Sequence, residues 1–583
     1  MRTSARAALI ASVAIGACSS FAFGPDPRGV GNRKIILSGI EFRQLTPEDY
    51  LDGAAELDKT PADGVVIHIL KNPVVGRDFD NQTIMSKPLW TREKLADLPP
   101  LLRKMGAHRS LRHSFLKSLQ SPAGGMRHDW RDDAAWAVVA SNMAAVAWLA
   151  REGGLPGLSM DVEDYPRKRQ FWRIAGDPPF AELKGIARQR GREVFKAVFD
   201  AYPDVTILAY FGFSELFFML GDTDPLSLES AKRDLYPSFL NGILDVMTPN
   251  ARFVDGVENS YRFSYAKRDF IAAKTQLYNW YLPLVAPENR RKFLSQYKTG
   301  FALYMDMYVN PHTESWYNGP IDGSRLEHLR RNAAQALSAT DEYVWMWCER
   351  GRWVDWGESA MKRIDKRCLK GLWSEMIPGG LHESLLAVKD PARYLYPAID
   401  AAVVSGTLTN LVANPGFEVK PGLARGFHPG VLPSPFRAFC EPLPKEYSEG
   451  EIGIDATSGD GDSSCIYLRG TTRGCARTDC YGLPSRTVVY ILARVKGDGA
   501  WPSIAYSKAK RWLRPRGYLP IEPGDPDEWR TIRALVRLPD DADGFTLMLG
   551  GSNLGPDEIV RYDNVRMYIV PAAISNGVYV NGK

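Results

Sequence analysis

The sequence contains little histidine and cysteine, which limits the chemistry it can support. Its 583 residues include 8 His and 7 Cys, and neither a CxxC pair nor an HExxH run occurs. Because zinc sites are usually built on such spacings, no catalytic metal held by these residues is expected. A GxSxG run, which would suggest an esterase, is also absent. No GxGxxG or GxxxxGK[ST] run follows a predicted strand, which weighs against a doubly wound open sheet.

Charge and hydropathy exclude two further classes of protein. The net charge is only +5, from 73 basic and 68 acidic residues, which gives no sign of a nucleic-acid-binding surface. Beyond the N-terminus no apolar run reaches the ~18 residues of a transmembrane helix. Hydrophobic residues make up 45% and charged residues 24%, values typical of globular proteins. The length predicts several domains, or one large barrel with an accessory module.

The N-terminus has the pattern of an export signal. Two arginines precede a short apolar run, Ala7–Ala17, as in a signal peptide covering residues 1–22. The small residues of Ser20–Ala22 favour ordinary cleavage, which predicts a secreted or periplasmic protein. Ile15–Cys18 instead resembles a bacterial lipobox, and lipidation of Cys18 would give a lipid-anchored outer-membrane protein. Both alternatives remain open.

The other cysteines fit an exported chain. Six remain without Cys18, and an even number in an oxidising compartment permits disulfides. Their pairing cannot be deduced from spacing. They are Cys348, Cys368, Cys440, Cys465, Cys475 and Cys480.

Residues 30–400 have the pattern of a parallel α/β domain. Short apolar runs alternate with amphipathic stretches of helical length, such as Asp132–Glu152 and Phe180–Tyr202, which is typical of βα units. Eight strand candidates predict a (β/α)8 TIM barrel rather than a doubly wound open sheet. The predicted strands are Lys34–Gly39, Gly64–Leu70, Ser114–Gln120, Gly157–Glu163, Val205–Phe211, Arg252–Glu258, Gly300–Asp306 and Tyr343–Glu349.

Residues 408–572 have a different texture, with short alternating runs separated by Gly- and Pro-rich turns. This pattern predicts an antiparallel β-sandwich. The segment opens with Asn-Pro-Gly-Phe-Glu, ending at Glu418, and closes with Tyr562–Tyr568. These two stretches resemble the ends of jelly-roll carbohydrate-binding modules. The resemblance implies a domain that binds sugar or braces the barrel, and a structural calcium site to which Glu418 and Asp563 contribute.

Acidic residues close several of the predicted barrel strands. In TIM barrels the active site lies at these carboxyl ends. Asp161 and Glu163 are two residues apart, so both side chains point to the same face of strand four. Asp255 and Glu258 end strand six, and Glu349 ends strand eight. Glycosidases need a proton donor and a second carboxylate that acts as nucleophile or base.

These acids predict roles in glycoside hydrolysis. Glu163 is the predicted proton donor and Glu258 the predicted nucleophile or base. Asp161 and Asp255 would tune their pKa values, and Glu349 would bind substrate or replace one of the pair. Each acid taken alone could instead cap a helix or pair with an arginine.

Aromatic and polar residues beside these acids are candidate substrate contacts. The 15 Trp and 25 Tyr suit a sugar-stacking cleft, although a large aromatic core would need them too. His68 could reach a substrate hydroxyl, or it could be a core histidine. The full set of predicted contacts is His68, Tyr165, Tyr261, Asp306, Trp345, Trp347 and Trp353.

The barrel half resembles (β/α)8 glycoside hydrolases, and among them exported bacterial barrels with a D-x-E-x-Y strand four and a W-x-[WY]-x-E last strand. The D-x-E spacing of Asp161 and Glu163 is similar to that of chitinase-type enzymes, in which the Glu is the proton donor. Leu158 and Ser159 replace acids of the longer chitinase run, which weighs against substrate-assisted chemistry. Acids on strands four and six are also similar to those of α-galactosidase-type barrels.

The resemblance implies a hydrolase of poly- or oligosaccharides with no redox cofactor. Two alternatives remain. One is a non-catalytic polysaccharide-binding protein that keeps the cleft without the chemistry. The other is a lyase acting on uronic acids, in which Arg350 or Arg352 would neutralise the substrate carboxylate.

Overall fold

The strands of the N-terminal unit form one parallel sheet in a computed structural model of the chain. The structure describes residues 33–120, 127–163, 170–215, 224–263, 267–321, 323–418, 432, 435–442, 451–461 and 463–571. The predicted signal peptide, Cys18 and Tyr165 lie outside these residues. The chain forms two compact units, and the division falls between Thr409 and Asn410.

Nine strands build the sheet of the first unit, and every pairing in it is parallel. Their order is β7-β6-β5-β4-β3-β2-β1-β9-β8. Each predicted strand contains one observed strand, and β7 is an additional short one. The strands are β1 (Lys34–Gly39), β2 (Gly64–Ile67), β3 (Phe115–Gln120), β4 (Gly157–Asp161), β5 (Thr206–Ala209), β6 (Arg252–Asp255), β7 (Tyr297–Thr299), β8 (Phe301–Tyr304) and β9 (Tyr343–Cys348).

The sheet closes at Gly300, which separates β7 from β8. β7 pairs with β6, whereas β8 pairs with β9. The consecutive strands β7 and β8 therefore form the two edges of the sheet and bring these edges together. The Gly300 N–H donates to Asp255 O at 2.7 Å, which continues the pairing through the break. If β7 and β8 are counted as one interrupted strand, the barrel has eight strands. The predicted fold class, a (β/α)8 barrel followed by a β-sandwich, is confirmed.

Helices follow most barrel strands and cover the outside of the sheet. Thr46 caps α1 through a capping box with Asp49, and Asp132 caps α4. The helices are α1 (Pro47–Asp52), α2 (Ala54–Leu57), α3 (Leu98–Met105), α4 (Asp133–Glu152), α5 (Phe180–Ala201), α6 (Pro225–Lys232), α7 (Tyr236–Val246), α8 (Lys267–Asn279), α9 (Arg290–Gln296), α10 (Arg325–Ala339), α11 (Glu358–Met361), α12 (Trp373–Met376), α13 (Leu381–Lys389), α14 (Pro391–Tyr394) and α15 (Tyr396–Val404).

Helix α4 is the described helix that is long and apolar enough to cross a membrane. Length and composition alone are weak grounds for a membrane span, because core helices of globular proteins share them. Half of its most apolar window is buried, and it contacts β3, β4 and α5. Its apolar residues therefore have a place in the barrel wall.

Two glycines allow α5 and α7 to touch through their backbones. A Cβ at Gly191 would lie 2.2 Å from Phe239 O, and one at Gly242 would lie 2.1 Å from Arg188 O. Real Cβ atoms do not approach that closely, so larger residues would force the helices apart. This contact fixes how two neighbouring βα units meet below the barrel mouth.

Replacing Gly191 by Ala is therefore expected to lower the free energy of unfolding by about 1–3 kcal/mol. The control is Gly185→Ala in the same helix, where a new Cβ meets no heavy atom within 4 Å in the described structure outside its own helix backbone. Alanine at this exposed helical position is expected to raise the same free energy by about 0.5–1 kcal/mol. Urea or thermal denaturation measures both. Equal effects of the two changes would contradict the close helix contact.

The second unit is a sandwich of two antiparallel five-stranded sheets. Their orders are β10-β13-β18-β15-β16 and β11-β12-β19-β14-β17. A separate apolar core fills the space between them, with Ile466, Val489, Phe545 and Tyr562 fully buried. The strands are β10 (Arg437–Pro442), β11 (Glu451–Asp455), β12 (Cys465–Arg469), β13 (Thr471–Tyr481), β14 (Val488–Lys496), β15 (Ser503–Lys508), β16 (Arg511–Tyr518), β17 (Arg530–Arg537), β18 (Gly544–Ser552) and β19 (Ile559–Ile569).

The two ends of the sandwich sequence lie against each other. Asn410 forms an antiparallel bridge with Tyr568, and its side-chain carbonyl accepts the Met567 N–H at 2.9 Å. Val565 N–H donates to Pro415 O at 2.8 Å. The closing stretch Tyr562–Tyr568 lies within β19, which begins at Ile559.

The structure describes the side chains of five cysteines. Cys348 and Cys368 are buried in the barrel unit, and Cys465 and Cys475 are buried in the sandwich. Cys480 is partly buried. No disulfide forms among these five.

Candidate active site

The carboxyl ends of the barrel strands surround a cleft of about 1230 Å³. This is the end of the barrel at which the loops after each strand converge. Polar and aromatic side chains from β1, β2, β3, β4, β5, β6, β8 and β9, or from the residues after them, line it. The side chains that could bind a ligand or take part in catalysis are those of Arg43, His68, Lys117, Gln120, Asp161, Glu163, Tyr210, Glu258, Tyr261, Tyr304, Trp316, Trp347 and Glu349.

Three carboxyl groups meet in this cleft. Asp161 is the last residue of β4, and Glu163 follows it by two residues, so strand alternation brings both to the cleft. The Glu163 N–H donates to Asp161 Oδ1 at 3.3 Å. Glu258 approaches from the end of β6 and interacts electrostatically with both. The sequence analysis selected all three residues.

A strained turn presents Glu258 to the cleft. Val257 has a φ of 40°, in the left-handed region that β-branched residues rarely adopt. The turn separates β6 from a 3₁₀ helix, Glu258–Arg262, and the Glu258 N–H donates to Tyr210 O at 3.1 Å. Backbone strain of this kind is concentrated at functional sites, where the surrounding structure holds it in place.

The Glu258 carboxyl is in an environment that favours its protonated form. Burial is the main cause of a pKa well above the ordinary value, and the negative charges of Glu163 and Asp161 raise it further, while Lys117 opposes them. Within the described part of the chain, its carboxyl makes no hydrogen bond or ion pair. Glu258 therefore keeps its proton to higher pH than an ordinary glutamate and is suited to donate it to a bound molecule.

Lys117 is a buried cation in the floor of the cleft, and sequence reasoning did not identify it. It lies on β3 with only 3% of its surface exposed, and its Nζ is 2.8 Å from Asp161 Oδ2. The same Nζ lies 4.2 Å from the centre of the Tyr210 ring. Burial lowers the pKa of Lys117, but the attraction of Asp161 and Tyr210 outweighs it and raises this pKa. Lys117 thus stays charged and fixes the Asp161 carboxylate.

His68 follows directly after β2 and lines the cleft as a neutral ring. Burial, followed by the positive charges of Lys117 and Arg43, lowers the pKa of His68 well below its ordinary value. A neutral imidazole offers one hydrogen-bond donor and one acceptor. The predicted contact with a substrate hydroxyl is compatible with this position.

Trp347 and Glu349 line the side of the cleft formed by β9. Trp347 Nε1 donates to Glu349 Oε1 at 3.0 Å, and Arg367 Nη1 lies 4.0 Å from Glu349 Oε2. The Glu349 carboxylate therefore already has partners from the protein. It orients the indole of Trp347, which is half-buried and presents one part of its surface to the cleft.

Three aromatic side chains form a further wall of the cleft. The Tyr261 ring centre lies 5.3 Å from that of Tyr304 and 6.1 Å from that of Trp316. The Arg262 guanidinium lies 4.0 Å above the Trp316 ring. Tyr261 was predicted from the sequence, whereas Tyr304 and Trp316 were not, because neither stands next to an acidic pair that drew attention to it.

Trp345 lies beneath the cleft rather than in its lining. It is fully buried, its ring stacks on Tyr210 at 4.0 Å between centres, and its Nε1 donates to Gly256 O at 2.9 Å. Although it shares a strand face with Trp347, it stands deeper in the barrel. Its burial leaves no surface on which a sugar could stack, so its position fits support of the cleft floor.

Asp255 also lies outside the cleft lining, although the sequence placed it beside Glu258. It is fully buried, and its carboxylate accepts hydrogen bonds from Tyr297 Oη at 2.7 Å, from the Ser214 N–H at 3.0 Å and from the Val257 N–H at 3.2 Å. The Ser214 hydroxyl is a further donor. These donors occupy the carboxylate, so Asp255 holds the turn that presents Glu258 and does not face substrate.

Asp306 and Trp353 are the other predicted contacts that the lining does not include. Asp306 is fully buried and accepts the Glu349 N–H at 2.8 Å, and burial raises its pKa to about 6. Trp353 is 1% exposed, and its backbone N–H donates to Glu41 Oε1 at 2.9 Å. Both therefore support the loop after β9 rather than the cleft surface.

The two arginines suggested for a lyase are engaged elsewhere. Arg350 pairs with Glu314 at 3.1 Å, and Arg352 pairs with Asp355 at 2.5 Å. Neither belongs to the lining of the cleft. In the part of the chain that the structure describes, no group of three His, Cys, Asp or Glu side chains could hold a metal ion.

The carboxylates expected to bind calcium in the sandwich accept hydrogen bonds from the protein. Asp563 accepts the Asp460 N–H and the Ser463 hydroxyl, each at 2.8 Å, and Glu418 accepts the Ser464 N–H at 3.0 Å. A calcium ion needs six to eight oxygen ligands, whereas here donors face the carboxylates. This set of described residues does not fit calcium, which stays a prediction from the sequence resemblance.

No protein-family model and no curated protein matches the chain. Among solved structures, it is similar to the enzymatically active domain of tailspike protein 4 from bacteriophage CBA120, with 11% identity and a TM-score of 0.21 over 28% of this chain and 21% of that chain. It is also similar to the CBM22-1–GH10 modules of Clostridium thermocellum endo-1,4-β-D-xylanase 10B in complex with xylohexaose, with 16% identity and a TM-score of 0.18 over 21% and 24%. A Stig cyclase from Fischerella sp. TAU shows 13% identity and a TM-score of 0.21 over 28% and 98%.

The chain thus spans about a fifth of the tailspike domain and about a quarter of the xylanase modules. Likenesses at these TM-scores carry no conclusion about activity. The function has to be argued from the residues of the cleft.

Proposed function

We propose that this protein hydrolyses glycosidic bonds of a poly- or oligosaccharide in the barrel cleft. The observation that carries the proposal is the convergence of Asp161, Glu163 and Glu258, in which burial and two neighbouring negative charges raise the pKa of Glu258 and favour its protonated form. Glycoside hydrolysis needs one carboxylic acid and one carboxylate on opposite sides of the scissile bond. Glu258 and Glu163 are suited to these two parts.

The proposed roles reverse those expected from the sequence. Glu258 donates its proton to the glycosidic oxygen as the bond from that oxygen to the anomeric carbon breaks. Glu163 either forms a bond to the anomeric carbon, which water later hydrolyses with Glu258 as base, or takes a proton from a water that attacks this carbon. The first route retains and the second inverts the anomeric configuration, so the stereochemistry of the product separates them.

The remaining cleft residues bind and position the substrate in this proposal. Lys117 pairs with Asp161 and holds its carboxylate in place beside the catalytic pair. Tyr261, Tyr304 and Trp316 offer aromatic surface for a sugar ring. The expected export of the chain, with or without a lipid anchor at Cys18, suits a polysaccharide substrate outside the cell and remains part of the proposal.

The proposal is tested by reducing-end release from a panel of plant, algal and microbial glycans. The expected result is release by the wild-type protein, with no unsaturated product absorbing in the near ultraviolet. An unsaturated product would instead identify a lyase. Binding to a glycan without any release from it would identify a non-catalytic binding protein, since that rival function needs the cleft but not the acid pair.

A further inference from the structure

Six cationic side chains line the cleft, and all but one have an acidic partner in the described part of the chain. Lys117 pairs with Asp161, and the other pairs are Lys71 with Asp80, Arg77 with Asp97, Arg363 with Asp49 and Arg367 with Asp365. Arg43 is the exception, since its guanidinium makes no ion pair with any described residue. An unpaired cation that is exposed in a cleft is available to an anionic ligand.

Arg43 is also held in position. It lies in a 3₁₀ helix, Ile40–Gln44, directly after β1, and its guanidinium lies 5.7 Å from the centre of the Trp347 ring. Glu349 in turn fixes the indole of Trp347 through the hydrogen bond to Nε1. Contact with an aromatic ring restrains a guanidinium while leaving N–H donors at its edge free. A ligand therefore meets a donor group that is largely ordered beforehand.

The surroundings of Arg43 suit a negatively charged group. Arg43 and Lys117 both lower the pKa of His68, which places both positive charges within electrostatic reach of this ring. The neutral imidazole adds a hydrogen-bonding group without repelling an anion. Glu163 and Glu258 belong to the same cleft, so a sugar bound here would extend toward the carboxyl pair.

We propose that Arg43, held by Trp347 and flanked by His68, forms a subsite for the anionic group of an acidic sugar, a uronic acid carboxylate or a sulfate ester. The substrate class is then an acidic polysaccharide rather than a neutral one. The cleavage of such a substrate rests on the proposed hydrolase function, whereas its binding to Arg43 does not. A guanidinium can bind either anion through two parallel hydrogen bonds.

The test measures binding in the absence of cleavage. Calorimetry at low and constant ionic strength compares oligogalacturonate, oligoglucuronate and oligomannuronate with their carboxyl-reduced counterparts and with a sulfated oligosaccharide, using Glu258→Gln in the full chain. We expect one acidic ligand to bind more tightly than its neutral counterpart. Adding Arg43→Gln should lower the affinity for that acidic ligand by about 10–100-fold and leave the affinity for its neutral counterpart unchanged. The ligand that responds shows whether carboxylate or sulfate is recognised.

The matched control is Arg363→Gln, which removes the same charge from the cleft. Its guanidinium is already bound by Asp49, so the affinity for the acidic ligand should fall much less. Equal losses in the two variants, equal affinity for acidic and reduced ligands, or no binding of any acidic ligand would overturn the subsite. Arg43-dependent binding with no hydrolysis of that ligand by the wild type would keep the subsite and remove the hydrolase.

Discussion

Replacing Glu258 by Gln is expected to lower kcat for polysaccharide hydrolysis by about 10²–10⁴-fold, because the amide keeps the shape of the side chain but cannot donate a proton. Wild-type activity should fall as the pH rises through the raised pKa of Glu258, since the acid then loses its proton. The variant should lack this alkaline decline. Initial rates measured across pH, with circular dichroism to show that the variant is folded, check both points.

A substrate with an activated leaving group distinguishes the loss of proton donation by Glu258 from general damage to the active site. A dinitrophenyl glycoside of the released sugar leaves without protonation, so Glu258→Gln should cleave it at a rate much closer to that of the wild type. Glu48→Gln, which removes an exposed carboxylate at the rim of the cleft, is the matched control and should retain activity on both substrates. Equal loss on both substrates in Glu258→Gln would contradict the role of proton donor.

Replacing Glu163 by Gln is expected to lower kcat by a similar factor, about 10²–10⁴-fold, on polysaccharide and activated substrate alike. Glu163 is the nearby charge that most raises the pKa of Glu258. Its removal should therefore also lower that pKa, so the residual alkaline decline moves to lower pH. Rates across pH, measured with and without azide, test this. Azide should restore cleavage and yield a glycosyl azide, because a small anion can replace the missing carboxylate.

Asp161→Asn provides the comparison for this second variant. This change also removes a negative charge that raises the pKa of Glu258. The carboxylate that it removes is bound to Lys117. The alkaline decline should again move to lower pH, whereas azide should not restore the rate. Rescue of Asp161→Asn but not of Glu163→Gln would exchange the roles of these two residues.

The fold could be predicted from the sequence because the barrel depends on a repeated pattern. Every predicted barrel strand is present, since a buried parallel strand needs a short apolar run whatever its neighbours are. The same reasoning found Asp161, Glu163 and Glu258, because strand alternation and the carboxyl-end rule apply to each strand alone. Lys117 shows what a closer reading could add, since a lysine within the apolar run Phe115–Gln120 has no place in a strand interior without an acidic partner.

Other parts of the site depend on contacts that no single segment reveals. Asp255 and Glu258 look equivalent in the sequence. Only the donors Ser214, from the segment after β5, and Tyr297, from β7, assign Asp255 to the interior. Trp345 and Trp347 point to the same face of β9. Trp347 is two residues nearer the carboxyl end of the strand, so it reaches the cleft and Trp345 does not. The proton-donor role depends on burial, which the sequence does not contain.

The free thiols give each half of the molecule its own reporter of unfolding. A buried thiol reacts with an alkylating reagent only when the structure around it opens, so its rate of modification follows the opening equilibrium. Cys348 and Cys368 are buried in the barrel unit, and Cys465 in the sandwich unit. Mass spectrometry of peptides alkylated in increasing denaturant can therefore follow the opening of the two units separately in the intact chain, with no added label and no truncation.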